Sequence, residues 1–325
     1  MAGLVLPEDY RSRPARMEDA EAVARVIAAS EIAHDHGTET SASDVRDDWQ
    51  DVDLDDETIV VEDADGKIVA SCDLVNRSYA IINAYGFVDP AYEGKGLGRY
   101  LIDWAEEWTR DRIDRADPDD QVVVRHFVQS KNQTALELFD SSGYEAVRHT
   151  FVMGIDLNEP PPAPEWPDGI VQAEYRPGVD ERDVYEAVQD AFRDTWGHRP
   201  SPFERFLKFS RGEGVKPDLW ILARAGDEIA GVCLGTLTGE QGWIPTVGVR
   251  RSWRRKGLGL ALLHAGFGAY YRRGVKDVRL SVDAQSLTSA TRLYVRAGMQ
   301  VKSNFILYEK TLREGIDIGV SSEDE

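Results

Sequence analysis

The chain has 325 residues, 42% apolar and 30% charged, with a mean hydropathy of −0.42 and a formal charge of −20. This length fits about two ordinary domains. No apolar run approaches the roughly 18 residues of a membrane-spanning helix, and so acidic a chain repels nucleic acid and anionic membrane surfaces. Two cysteines, Cys72 and Cys233, cannot build a disulfide framework, and Met1–Tyr10 lacks a secretory apolar stretch, so the expected location is a reducing cytoplasm.

In chain order, Ile59–Cys72 reads as strand, tight Asp/Gly turn, strand, and Tyr85-Gly-Phe-Val88 as a further strand. Glu93-Gly-Lys-Gly-Leu-Gly98 then opens a helix whose Leu97, Leu101, Trp104 and Trp108 fall on one face. Gln121–Val124 predicts a strand, Leu138-Phe139 a short helix, and Gly143 its C-terminal cap. Between Glu159 and Pro167, five prolines in nine residues forbid regular structure and mark a linker.

The same order then repeats. Trp220–Cys233 reads as a hairpin, Val247-Gly-Val249 as a strand, and Arg254-Arg-Lys-Gly-Leu-Gly259 as the opening of a helix with Leu258, Leu262, Ala265 and Ala269 on its inner face. Val278–Val282 predicts a strand, Leu293-Tyr294 a helix, and Gly298 a cap. A repeat of about 160 residues implies two copies of one α/β domain rather than a solenoid. The expected domains are 11–158 and 168–315, joined by the linker 159–167 and followed by an acidic tail, 316–325. Residues 1–160 hold 35 acids and 15 bases, whereas residues 161–325 hold 23 of each, so the two copies face different tasks.

The second copy carries the chemistry-bearing loop. Arg250–Lys256 places five bases within seven residues, immediately before a glycine-opened helix. Glycines let main-chain N–H groups converge, the helix N-terminus adds its positive end, and the bases supply counter-charge, a combination suited to a pyrophosphate. The spacing matches neither a Walker loop nor a dinucleotide fingerprint.

Arg254-x-x-Gly257-x-Gly259 after a strand, with Leu293-Tyr294-x-x-x-Gly298 after a later one, resembles the GCN5-related N-acetyltransferases. The resemblance spans nearly the whole chain as a tandem pair, and the phrase Val247-Gly-Val-Arg-Arg looks most like the mycothiol synthase-type members. It implies a mixed, mostly antiparallel sheet flanked by helices in each copy, splayed open between the fourth and fifth strands, with acetyl-CoA as co-substrate. It further implies that Val247, Gly248 and Val249 bond the pantetheine arm while Arg254, Arg255, Lys256, Gly257, Leu258 and Gly259 cradle the pyrophosphate.

Tyr294 is the expected proton donor to the departing thiolate. The first copy has Phe139 in that place and Glu93 where the second loop has Arg254, so it is expected to be a degenerate partner. Ser286 stands where the first copy has Asn132, retaining a hydroxyl for the cofactor. The fourth strand of the second copy, Gly242-Trp-Ile-Pro-Thr-Val247, carries no acid, leaving Glu240 and Asp283 as candidate general bases. Asp194-Thr-Trp-Gly-His-Arg-Pro200 offers Trp196, His198 and Arg199 for the acceptor side. His34 and His36 lack the further ligands a zinc site needs, so no metal is expected. Both cysteines read as buried small hydrophobes.

The resulting expectation is direct acetyl transfer in the second domain to a primary amine of a small molecule, by a monomer or homodimer. A noncatalytic acyl-CoA sensor and an acetyltransferase of protein amines are the alternatives.

Overall fold

The computed structural model describes residues 4–35, 40–193, 195, 202–212, 214–285 and 290–317. They fall into two compact units, and the division does not follow the linker. Met1–His149 combines with Ser303–Ile318, and Thr150–Lys302 forms the body of the second unit.

The first unit contains β1 (Arg11–Arg13), α1 (Ala20–Asp35), α2 (Ala42–Asp48), α3 (Leu54–Glu57), β2 (Thr58–Glu62), β3 (Ile68–Arg77), β4 (Ile81–Val88), α4 (Leu97–Asp111), β5 (Val122–Gln129), α5 (Gln133–Ser141) and the start of β6 (Glu145–Asp156). The second contains β7 (Val171–Glu174), α6 (Glu181–Phe192), α7 (Phe203–Ser210), β8 (Val215–Ala225), β9 (Glu228–Thr238), β10 (Gln241–Val249), α8 (Leu258–Arg272), β11 (Asp277–Asp283), α9 (Ala290–Arg296) and the start of β12 (Gln300–Arg313). Every hairpin, helix and cap read from the sequence is present, including left-handed Gly143 (φ 74) and Gly298 (φ 95).

In the first unit the sheet runs β1-β2-β3-β4-β5-β12, and in the second β7-β8-β9-β10-β11-β6. Within these two runs of strands, β4–β5 and β10–β11 pair in parallel. Each sheet is covered on both faces, as its strands require. In the first unit, α4 packs Leu97, Leu101, Ala105 and Trp108 on one face, while α1 and the residues after α2 bring Val23, Val26 and Trp49 to the other. In the second unit, α8 packs Leu258, Leu262, Phe267 and Tyr270, while α6 and α7 bring Val184 and Phe206 against Trp220. Residues 159–167 hold no helix or strand, and Trp166 packs against the second core. Among the described residues, no helix is long and apolar enough to cross a membrane.

The outermost strands are exchanged, which corrects the expectation of two contiguous domains. β12 pairs with β5 from Phe305–Gln129 to Arg313–Val122, and β6 pairs with β11 from Thr150–Asp283 to Asp156–Asp277. The exchange is well fastened. Tyr308 enters the first core and donates its hydroxyl to Asp140 at 3.0 Å, Arg125 Nε donates to Glu309 at 2.6 Å, and Lys310 Nζ donates to buried Glu106 at 2.8 Å. Met153 of β6, fully buried, enters the second core.

A chain ending at Met299 would therefore lose β12 and leave the β5 edge of the first unit unpaired. Hydrogen exchange should show β5 losing protection, while the β8–β9 ladder in the second unit remains protected, although the cut lies in the second half of the sequence.

Candidate functional site

Each unit has a place where its parallel strand pair comes apart. In the second, β10 meets β11 only at Gly242–Val278 and Trp243–Arg279. On the strand's other edge the β9–β10 register breaks between Trp243 and Thr246, where Pro245 supplies no N–H. The Tyr270 hydroxyl bonds the carbonyls of Trp243 (2.7 Å) and Thr236 (3.0 Å), holding the break in place. Gly242 is required there, since a Cβ would meet the Tyr270 ring at 2.7 Å. Beyond it Val247, Gly248 and Val249 pair with β9 alone, so their other edge faces away from any β11 partner.

The loop that follows ends at Gly257, left-handed at φ 86, from which α8 begins. A Cβ on Gly257 would meet nothing within 4 Å, so open space lies beside it, and the first N–H groups of α8 have no intrahelical acceptor. Gly259 serves packing instead, its Cβ position lying 2.9 Å from Leu293 of α9. Arg255 is left-handed at φ 62. Arg254 does more than carry charge: Nη2 donates to Ala191 O at 2.8 Å and Nε to Val249 O at 3.3 Å, tying the end of β10 to α6. Lys256 Nζ lies over the Trp253 ring.

Tyr294, on α9, is buried in the second core, where Val247, Val249 and Leu293 also pack. Burial first, and the nearby Cys233 thiol second, push its phenol up to about 12. Cys233, in the same core, is opposite Val247 in the β9–β10 ladder. Asp283 ends β11 on that open side and accepts from Gln285 N at 2.8 Å. Glu240 lies elsewhere. It is exposed on the β9–β10 turn, seven residues before Val247, about 23 Å away at strand rise. Ser286, Trp196, His198 and Arg199 lie outside the described residues, as does His36. Among those described, no cluster of three or more His, Cys, Asp or Glu is placed to hold a metal. Both cysteines are buried and free, with thiols pushed up by burial.

The first unit repeats the geometry with other chemistry. β4 and β5 pair from Ile81–Val123 to Ala84–His126 and then part. A cavity of about 240 Å³ occupies the gap, lined by Gly86, Val88, Gly94, His126, Asn132 and Phe139 among others. Gly96, left-handed at φ 85, begins α4. Glu93 faces His34, whose Nε2 lies 3.4 Å from its carboxylate. The Asn132 side chain accepts from Ala135 N, capping α5. The cavity and its histidine were missed in the sequence, where His126 is one polar residue inside an apolar strand. Setting the copies in register would have flagged it, because Leu280 stands opposite.

Comparison with known proteins agrees with this architecture. The acetyltransferase (GNAT) family model matches residues 182–299, and an acetyltransferase (GNAT) domain model matches residues 55–146. The crystal structure of a GCN5-related N-acetyltransferase from Sphaerobacter thermophilus superposes with a TM-score of 0.88 at 46% identity, covering 97% of this chain and all of that one. A tandem GNAT protein from the clavulanic acid biosynthesis pathway shares the fold, with a TM-score of 0.73 at 14% identity over 94% of this chain and all of that one. Among curated relatives, the mycothiol acetyltransferase of Catenulispora acidiphila is 28% identical over 231 residues, 68% of this chain and 69% of the relative. Two glycine-opened helices beside two parted strand pairs, matched over nearly its whole length, make this chain a tandem member of the GCN5-related N-acetyltransferase family.

Proposed function

We propose that the chain moves an acetyl group from acetyl-CoA to a primary amine of a small molecule, and that the second unit carries the reaction. The observation that supports this is Tyr294, buried in the core against which Val247 and Val249 of the free β10 edge pack, where the first unit has Phe139 at the equivalent place. The curated relatives named mycothiol acetyltransferase favour a small acceptor over a protein.

The second unit fits the co-substrate. The free edge of Val247–Val249 would bond the amides of an extended pantetheine arm, and the open space at Gly257 would let the first N–H groups of α8 reach the pyrophosphate. The bases of Arg250–Lys256 would neutralise it. Bound acetyl-CoA supplies an activated acyl thioester. The chain's part is then to fix that carbonyl against the strand edge, remove a proton from the attacking amine and deliver one to the leaving sulfur. Asp283, on the open side, takes the first proton through water, and Tyr294 gives up the second. The new C–N bond forms as the C–S bond breaks, and the proton accepted by Asp283 balances the one Tyr294 loses. Glu240, at the far turn, takes no part.

Gly257→Asp would place a side chain and a negative charge where the pyrophosphate meets the main chain, at a φ that disfavours any side chain. Calorimetry should show affinity for CoA at the second unit falling by at least about a hundredfold, or roughly 2.8 kcal/mol, with the helical signal retained.

Tyr294→Phe should leave folding and CoA affinity nearly unchanged while kcat falls by about 10² to 10⁴, read as thiol release against a panel of amines and one lysine peptide. Because burial holds the phenol near 12, Tyr294 stays protonated where an ordinary tyrosine ionises, so the wild-type rate should show no alkaline limb near pH ~10.

A further inference from the structure

The inner strand of the second unit carries one residue more than its twin between the closed end of the sheet and the free edge. Against β9, Trp243 is opposite Thr236 and Thr246 is opposite Leu234, so Ile244 and Pro245 together face Gly235. That is a β-bulge, which takes main-chain groups out of the ladder and bends the strand. In the first unit β3 and β4 pair without a break from Arg77–Ile81 to Ala70–Val88.

Three core positions differ together with the bulge. Counted from Cys72 and Cys233, Leu74 corresponds to Gly235, and Ile82 pairs with Asn76 as Gly242 pairs with Leu237. Counted from left-handed Gly96 and Gly257, Thr109 corresponds to Tyr270. Leu74 and Ile82 fill the first core, and Thr109 donates to Ala105 O at 2.8 Å, within its own helix. In the second unit a Cβ at Gly235 would collide with the Tyr270 hydroxyl, and one at Gly242 would lie 2.7 Å from its ring. Where the first copy buries two aliphatic side chains, the second admits one ring. What that ring brings is a hydroxyl at the bulge, its proton shared between Trp243 O at 2.7 Å and Thr236 O at 3.0 Å, while Thr236 Oγ1 adds a 3.4 Å contact to Trp243 O.

The bulge stands where the reacting end of a bound thioester would come. With the pyrophosphate held at the start of α8, just after β10, the pantetheine arm runs back along Val249, Gly248 and Val247, and its acyl end arrives at Thr246 and the bulge. We propose that Tyr270 is a positioning residue for acetyl transfer in the second unit: its hydroxyl fixes the Ile244–Pro245 bulge and, through that main chain, the place where the thioester carbonyl rests against β10. Tyr270 is 1% exposed, so it acts without touching either substrate. The inference rests on the reading that the second unit carries the reaction. A small displacement of the reacting carbonyl slows the chemical step, whereas the loop and the far edge that hold the rest of the co-substrate stay in place.

The test compares the full chain with Tyr270→Phe, which keeps the ring and removes the hydroxyl. With acetyl-CoA and the fastest amine of the panel, kcat should fall about 10- to 100-fold, while CoA affinity by calorimetry stays within about threefold. A side chain that merely supported the fold would lower both together. The carbonyl band of bound, carbonyl-labelled acetyl-CoA, read by infrared difference spectroscopy with no acceptor present, should shift between the two chains. Parental kcat in Tyr270→Phe, a CoA affinity that falls in step with kcat, or an unmoved carbonyl band would each overturn the proposal. Parental turnover in Tyr294→Phe would overturn the reading on which it rests, whereas a slow Tyr294→Phe chain beside an unimpaired Tyr270→Phe chain would overturn the positioning role alone.

Discussion

The early parting of one parallel strand pair is the constraint on which the rest of each unit depends. A main-chain N–H or C=O inside a protein must find a partner. β4 shares only four residues of ladder with β5, and β10 only two with β11, so the far half of each inner strand keeps one edge for something else. The second unit shows how such a gap is held open. Pro245 removes a donor, the register slips, and a buried tyrosine hydroxyl takes the carbonyls of Trp243 and Thr236 that the slip exposes. Gly235 and Gly242 make room for that ring. The gap is thus built from the closed end of the sheet.

Much of this was legible because the two copies report on each other. Hairpins, helices and caps followed from local periodicity and glycine placement, and each appeared twice. The exchange of β6 and β12 was not legible. Their alternating residues present the same apolar face and the same ladder groups to either equivalent edge, so periodicity cannot say which copy a terminal strand serves. What decides is side-chain detail at long range, such as Lys310 reaching Glu106 and Tyr308 reaching Asp140.

The site was readable in its main-chain parts and less so in its side chains. A glycine-opened basic loop announces itself by spacing, whereas the use of Arg254 on two carbonyls depends on α6 arriving beside it. Glu240 and Asp283 looked equivalent as carboxylates near a strand. Direction separates them: β10 and β11 run parallel, so a residue before β10 and a residue ending β11 stand at opposite ends. His126 was hidden for the opposite reason, since one histidine in Val-Val-Val-Arg-His-Phe-Val reads as a core residue until the cavity it lines is seen.

The loop glycines show how the copies diverged. Gly98 and Gly259 persist in both, and packing explains them, because a Cβ at either would press on Leu138 or Leu293 at 3.0 and 2.9 Å. Gly96 and Gly257 persist for their left-handed backbone. The first glycine does not persist. Gly94, at φ 73 with open space around it, is replaced by Arg255 at φ 62. An arginine held there costs on the order of 1 kcal/mol that glycine avoids. The second copy therefore carries at that position a strain that the first, with glycine, avoids. The first copy relaxed that backbone and set Glu93 next to it.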